Sequence, residues 1–509
     1  MARAPKTAVS GGGGQVLYYE IANFQNGIDA RKDLMTAPAG TMRTLQNCHI
    51  TPGGEIEKRS AFIPWGNAGS TCLGLVSFNA GCYAVYADLA AGAAGTTTPP
   101  ASDGSAPGAI HVGVPAAGVT LQELYHWDIF EGKVFMTFLG YNGTSYQTYS
   151  YYDAQYVPEA DGRCSTCRTY KEKMYGVAGR YLFFSAVGDP TKWVDPPPVG
   201  GVTTHNGSGF ISIGSNDSDS ENLVAMEVYY DKMAIFSSLG CQLWFLDPDP
   251  SLNQYYQTLR DAGTLSRQSV RQYVANDVYF LGAHGIRSLR ARDLTTTAAV
   301  ADVGSPLDPI IQNLIATRGY WGGVFDMGSV QTILSPRTGR IWMAAYDTIF
   351  VLSNFASPNI SAWSTYVPGF SIAKQGIVFA DPFVYLMDTN FNLYKFGSYG
   401  ALTYDSCPVE FDTPALSFEK PSTFKFYNGF DAICRADPGS PWNVQMCFDT
   451  NQPGPPFDQI CAIEGPTTDI GRIPVSGRGT HVQVKVTHQA PGPATFAKMM
   501  IHYAPGETG

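Results

Sequence analysis

A short turn followed by four or five apolar residues recurs about every 50 residues along most of this chain. With the last turn residue as marker, the copies fall at Cys82, Lys133, Arg180, Lys232, Asp277, Arg340 and Pro382. Each marker opens a run such as Tyr83-Ala84-Val85-Tyr86 or Val278-Tyr279-Phe280-Leu281, and a second apolar stretch precedes each turn. Two such runs around a tight turn make a β-hairpin. Strands of a sandwich recur every ~8–12 residues without a longer period, whereas one four-stranded propeller blade takes about 40–50. The long period therefore predicts an all-β protein with a six- or seven-bladed β-propeller core, its apolar runs forming inner strands buried on both faces.

Aromatics at 13%, with 54 Gly and 34 Pro, suit pleated surfaces joined by many turns. Stretched intervals between markers locate insertions near residues 90–120, 195–222 and 293–327. The first contains the small, Pro-rich "AAGAAGTTTPPASDGSAPG", which reads as an exposed loop. The last contains "SPLDPIIQNLIATRG", which predicts a helix capped by Ser305, with Ile310, Ile311 and Leu314 on its packing face. From about Tyr404 strands alternate without the period, as in "THVQVKVTH". Three regions are expected: an N-terminal extended and hairpin segment (1–66), a propeller (67–403) and a C-terminal β-sandwich-like domain (404–509). The strand in "QVLYYEIANF" is expected to pair with another domain or to close the ring.

The formal net charge of −10 and the lack of a basic block argue against a surface that grips nucleic-acid phosphates. No apolar core of a secretory signal opens the chain and no run of eighteen apolar residues follows, so assembly in a cytoplasm and reduced thiols are expected. The sequence holds no phosphate-binding Gly loop, HExxH or GxSxG motif. "GGGG" at 11–14 reads as a linker. Cys164 and Cys167 form half a zinc site with no matching second pair, and read as two loop thiols. Asp217, Asp219 and Glu221 alternate in "NDSDSEN" without the twelve-residue calcium pattern. No catalytic, metal-binding or cofactor-binding residue is predicted, and the protein is not expected to be an enzyme.

"FQNGIDARK" (Phe24 to Lys32) and "LQNCHITPGGEIEKRSAF" resemble the start of the tail-tube or nozzle proteins of short-tailed bacteriophages, also called tail tubular protein B-like or phage stabilisation proteins. The likeness continues in "YGVAGRYLFFSAVGDPTKW", "LGAHGIRSLRARD" and "GTHVQVKVTHQAPGPATF". The resemblance implies a virion tail protein with a propeller core, assembled in the host cytoplasm as a homo-hexameric ring beneath the portal adaptor. Such a ring docks fibre or other distal tail proteins, inserts into no membrane and passes double-stranded DNA without reading its sequence. Within the opening stretch Gly53 and Gly54 make a turn, and Glu55, Glu57, Lys58 and Arg59 place both signs of charge on one hairpin. These six residues are the expected subunit or adaptor contact, since complementary charges set register. The competing functions are a propeller glycosidase or depolymerase and a lectin-like module, each acting on host surface polysaccharide.

Overall fold

In the computed structural model, tight turns set the hairpins. Asn79 and Ala80 (φ 47 and 57), Glu131 and Gly132 (47 and 76), and Lys171 and Glu172 (44 and 61) turn through paired left-handed residues. Such turns match the right-handed twist of the strands they join. The structure describes residues 6–8, 16–33, 35–101, 105–157, 164–196, 205–213, 222–273, 277–294, 302–318, 320–321, 324–325, 330–335, 338–355, 359–397, 403–448, 458–463 and 470–508. The Gly run at 11–14 and the acidic loop holding Asp217, Asp219 and Glu221 lie outside these residues.

The fold is all-β and propeller-like, with small, mostly antiparallel sheets following one another along the chain. Sheet I holds Cys72–Phe78, Gly81–Leu89, Thr96–Thr98 and Gly108–Gly113; sheet II holds Thr120–Phe130, Lys133–Tyr141, Tyr146–Tyr152 and Gln155–Tyr156. Sheet III is Thr166–Tyr170, Lys173–Ala178, Tyr181–Phe184 and Gly209–Ser212, and sheet IV is Leu223–Tyr229, Lys232–Ser237, Gly240–Phe245 and Gln254–Arg260. Sheet V has three strands, Arg271–Tyr273, Asp277–Gly282 and Gly285–Ser288. Sheet VI is Gln331–Ser335, Arg340–Ala345, Thr348–Phe355 and Ile360–Tyr366. Sheet VII is Ile372–Ala380, Phe383–Asp388 and Asn392–Phe396, completed by Phe62–Asn67 from far earlier in the chain.

The first strand of each unit touches the first strand of the next, and that of sheet VII touches that of sheet I. The units thus follow one another in a closed circle. Apolar clusters fill the gaps between neighbours: Val85 with Met136 between I and II, Phe135 with Met174 between II and III, Val177 with Ile235 between III and IV. Phe236 meets Phe280 between IV and V, Val351 meets Leu386 between VI and VII, and Val378 meets Leu75 between VII and I.

Three expectations change in detail. The marker at Arg180 belongs to the second hairpin of sheet III, because the first turns at Lys171 and Glu172, which carry none of the usual turn residues. The Pro-rich insertion is exposed but not all loop. Thr96–Thr98 pairs with Gly108–Gly113, which runs parallel to Gly81–Leu89 as a crossover permits. The expected helix forms over Asp308–Arg318, preceded by a 3₁₀ turn at Ser305–Leu307, so Ser305 does not cap it. Instead Ser305 Oγ donates to the Asp302 carbonyl (2.8 Å), and Arg287 clamps Asp308 at the helix start with two bonds of 2.7 and 3.0 Å. Ile311 is buried, with Ile310 and Leu314 packed beside it.

The N-terminal segment pairs with other parts of the chain. Val16–Ile21 pairs antiparallel with Ala494–Thr508, near the other end of the chain. Thr44–Gln46 bridges sheet VI to Val409–Asp412, so one sheet runs from Gln331–Ser335 to Asp458–Ile463. The hairpin Cys48–Ile50 and Ile56–Lys58 joins the edge of Ala494–Thr508. Phe24, Phe411, Trp442 and Phe496 meet in the core of this C-terminal part, and the same core takes in Ile341, Phe350 and Leu352 of sheet VI. Short strands at 44–67 have too little surface to bury alone, and they find it in the sheets formed around them.

Phe62 of the closing strand packs against Phe396 (5.2 Å between ring centres), Phe370 (5.9 Å) and Trp342 (6.5 Å). Truncating it as Phe62→Ala should cost about 3–5 kcal/mol, read as a lowered urea midpoint. An unchanged midpoint would show that this strand does not hold the ring shut.

Candidate functional site

A cavity of 440 Å³ lies on the axis of the circle, lined from the first strands of sheets II to VII. One repeated strand position builds most of it. Asp128, Arg168, Glu227 and Arg271 each stand two residues before the last residue of the first strand in sheets II to V. Ile333 and Val378 hold the same place in sheets VI and VII and also line the cavity, while Val76 holds it in sheet I. The wall is therefore charged with alternating sign on one side. On the other, Trp127, Leu334 and Phe379 join the two aliphatic residues.

Arg168 is the hub. Its Nη2 donates to Glu227 Oε2, and its Nη1 lies 3.6 Å from Asp128 Oδ1. Burial opposes the Arg168 charge, but Glu227 and then Asp128 outweigh it, and its pKa is raised. Asp128 Oδ2 also accepts from the Thr169 amide (2.6 Å), and Glu227 Oε1 from the Val228 amide (3.0 Å). Arg271 is served differently. Its Nε donates to the Thr332 carbonyl (3.2 Å), and burial, followed by the nearby Arg168 charge, pulls its pKa down to about 10. Just beyond, burial holds His126 well below the usual histidine range, helped by Arg168, Arg271 and Arg267, while its Nδ1 lies 3.5 Å from Cys167 Sγ.

The candidate contact residues lie elsewhere. Gly54 turns with φ +79, its carbonyl accepts from the Phe24 amide (3.0 Å), and a Cβ there would meet Asn23 Oδ1 at 2.5 Å. Gly53 and Glu55 complete that turn, with the Thr51 amide donating to the Glu55 carbonyl (2.9 Å). Lys58 and Arg59 are not at a surface: they are 1% and 2% exposed. Lys58 Nζ donates to the carbonyls of Asp405 (2.6 Å) and Ala490. Arg59 donates to Asn47 Oδ1 (2.9 Å), the Ser60 carbonyl (2.8 Å) and Asp405 Oδ2 (3.0 Å), and lies over the Phe62 ring. The two cations form an internal latch, not a subunit contact. Charge alternating on a short hairpin signals polarity, but cannot tell an outside partner from one more than 340 residues away in the same chain.

Glu57 is half exposed and faces His49, whose Nε2 lies 3.3 Å from Glu57 Oε2 and whose Nδ1 accepts from the Tyr366 hydroxyl (2.9 Å). His49 is held near pKa 4 by burial first and the Arg340 charge second, against Glu57. The His49 bond is also the main reason Glu57 sits below the ordinary carboxylate range. Cys164 and Cys167 are both fully buried, and among the described residues no group of three or more His, Cys, Asp or Glu is placed to hold a metal.

No protein-family model and no curated protein matches the chain. Among solved structures it is similar to the β-propeller domain of Myceliophteria thermophila Cps50 (Swd1), at 7% identity over 67% of this chain and 99% of that one, TM-score 0.36. The Neurospora crassa Pan2 WD40 domain is similar at 10% identity over 55% and 76%, TM-score 0.33. An exo-β-1,3-galactanase from Phanerochaete chrysosporium with galactose is similar at 11% identity over 80% and 99%, TM-score 0.25. At these scores the likenesses do not bear on activity.

Two outcomes test the latch. Reversing Lys58 and Arg59 to Glu should destabilise the isolated chain by about 3–5 kcal/mol or more, since each change leaves buried partners facing a like charge or no donor. Native melting with altered sedimentation would instead restore the subunit contact. His49 also predicts acid lability. Unfolded, it takes a proton near pH 6.5; folded, only near 4, so stability falls as pH drops from 6.5 toward 4. The slope from this group is at most about 1.4 kcal/mol per pH unit. His49→Gln should show a flatter loss of urea midpoint across that window; an identical slope would remove His49 as its source.

Proposed function

We propose that this chain is a structural subunit of the tail tube of a short-tailed phage, built on a seven-bladed propeller and assembled into a six-fold ring under the portal adaptor. The observation that carries it is the single continuous core shared by the N-terminal segment, sheets V and VI and the C-terminal sheets. A chain whose outlying parts are welded to its ring behaves as a block, which suits a wall that DNA must pass. The seven-blade count rests on the circle of first strands and on Phe62–Asn67 as the last outer strand. The net charge of −10 favours a lumen that does not hold DNA, because a ring of such chains repels phosphates. Assembly takes place in the host cytoplasm, and fibre or other distal tail proteins dock on the outer loops.

One observation favours a second reading, a glycosidase: Asp128 and Glu227 share the axial cavity. A glycosidase divides its carboxylates between proton donor and base or nucleophile. Here Glu227 accepts from the Arg168 guanidinium and Asp128 is ion-paired with it, which suits structure better than turnover.

Mixing the purified protein with adaptor-bearing phage necks and imaging the particles tests the first reading. A six-fold ring at the tail end is expected. Necks left bare at saturating protein would overturn it, and release of reducing ends from surface polysaccharide would favour the second.

A further inference from the structure

We infer that the axial cavity is a binding site for a small hydroxylated carboxylate, a single-ring sugar acid, seated between Arg271 and the Trp127–Phe379 wall. The inference does not depend on the tail-tube reading. At 440 Å³ the cavity falls in the range of small-molecule pockets, about 300–1,000 Å³. Its two walls differ in kind, and a sugar acid offers a matching pair of faces: hydroxyls and a carboxylate on one, ring C–H groups on the other.

The polar wall carries donors that the fold leaves unused. Arg168 is more than nine-tenths buried, yet its Nε has no hydrogen-bond partner among the described residues. Arg271 spends only Nε, on the Thr332 carbonyl, so the rest of its guanidinium remains available to the cavity it lines. A guanidinium takes a carboxylate through two parallel bonds. The pKa of Arg271, lowered by burial and by Arg168, marks a place where an incoming anion relieves a cost already present. Gln268 adds an unused acceptor: it is 7% exposed and its Oε1 is buried without a partner, in the small pocket that shares Trp127, Arg271 and Ile333 with the cavity.

Hydroxyls explain why acids sit beside the arginines. Asp128, bonded to the Thr169 amide, and Glu227, bonded to Arg168 and the Val228 amide, keep acceptor capacity, because each carboxylate has about four lone-pair sites. A bare anion such as acetate has no hydroxyl hydrogen to give them and meets two negative groups, and phosphate brings up to two negative charges against the same two acids with no apolar ring face for the other wall. A neutral sugar leaves Arg271 unpaired.

Calorimetric titration of the full chain with D-glucuronate, D-glucose, acetate and inorganic phosphate tests this. Glucuronate should bind at least about tenfold more tightly than any of the others, the worth of one charge-assisted hydrogen bond. Equal binding of acetate or phosphate, equal binding of glucose, or no binding of glucuronate would each overturn it. Arg271→Gln should weaken glucuronate about tenfold while leaving the melting temperature near that of the parent; unchanged affinity would also overturn it. If that variant does not fold, the parent chain serves: glucuronate should protect Arg271 from phenylglyoxal, read by peptide mass, and glucose should not. Equal labelling under both sugars would end the proposal.

Discussion

The ring can close only if a strand from before sheet I lies down beside Asn392–Phe396, and the two cations just ahead of that strand hold it to its path. Lys58 and Arg59 reach Asp405 and Ala490 beyond the ring, and Arg59 reaches Asn47 behind it. Asn47 in turn accepts from the Val367 amide at the end of sheet VI (2.9 Å). Three distant parts of the chain are thereby fixed around four residues, and Phe62 begins the closing strand three positions later. Buried cations are costly unless every donor has a partner. Here carbonyl and carboxylate oxygens supply them, so the latch tolerates little change. Burial of Lys58 lowers its pKa, as expected of a cation whose partners are mostly neutral carbonyls.

Much of this was legible because the repeat is physical. A hairpin needs a turn, and turns need particular residues, so Glu131–Gly132 could be read from sequence while Lys171 and Glu172 could not. Apolar runs in the second strands showed which surfaces face a neighbouring sheet. The N-terminal segment was harder. Thr44–Gln46 and Ile56–Lys58 are three residues each, too short to show a face, and their partners at 409–412 and 494–508 stand hundreds of positions away. Long-range pairing leaves no local mark. The resemblance to nozzle proteins pointed to the opening stretch as important, and two of the four charges on its hairpin, Lys58 and Arg59, serve the fold from inside.

The axial residues illustrate a different limit. Asp128, Arg168, Glu227 and Arg271 are charges scattered through four strands of mixed composition, and each one alone reads as an accident. Once the first strands are aligned by their ends, the accidents become one position of the repeat, with alternating sign through four successive sheets. The signal was present at the repeat period, and finding it required the correct turn in sheet III. With the marker at Arg180, eight residues past the last turn residue Glu172, Arg168 falls out of register.

Why should a repeat place charge on its axis at all? First strands converge there, and sheet VI and VII side chains already cover one side with Ile333, Val378 and Phe379. A fully apolar axis would gain hydrophobic burial, and replacing a buried ion pair by apolar groups is often neutral or stabilising. The charged side therefore is not the cheapest way to hold seven sheets together. Arg168 repays part of its burial through Glu227 and Asp128, but for Arg271, whose Nε donates to a neutral carbonyl, burial and the Arg168 charge outweigh those carboxylates. An arrangement that leaves one guanidinium under-served in a partly apolar chamber has its lowest free energy when something anionic comes to it. The convergence of first strands thus leaves, at their meeting point, a cavity with one charged and one apolar wall.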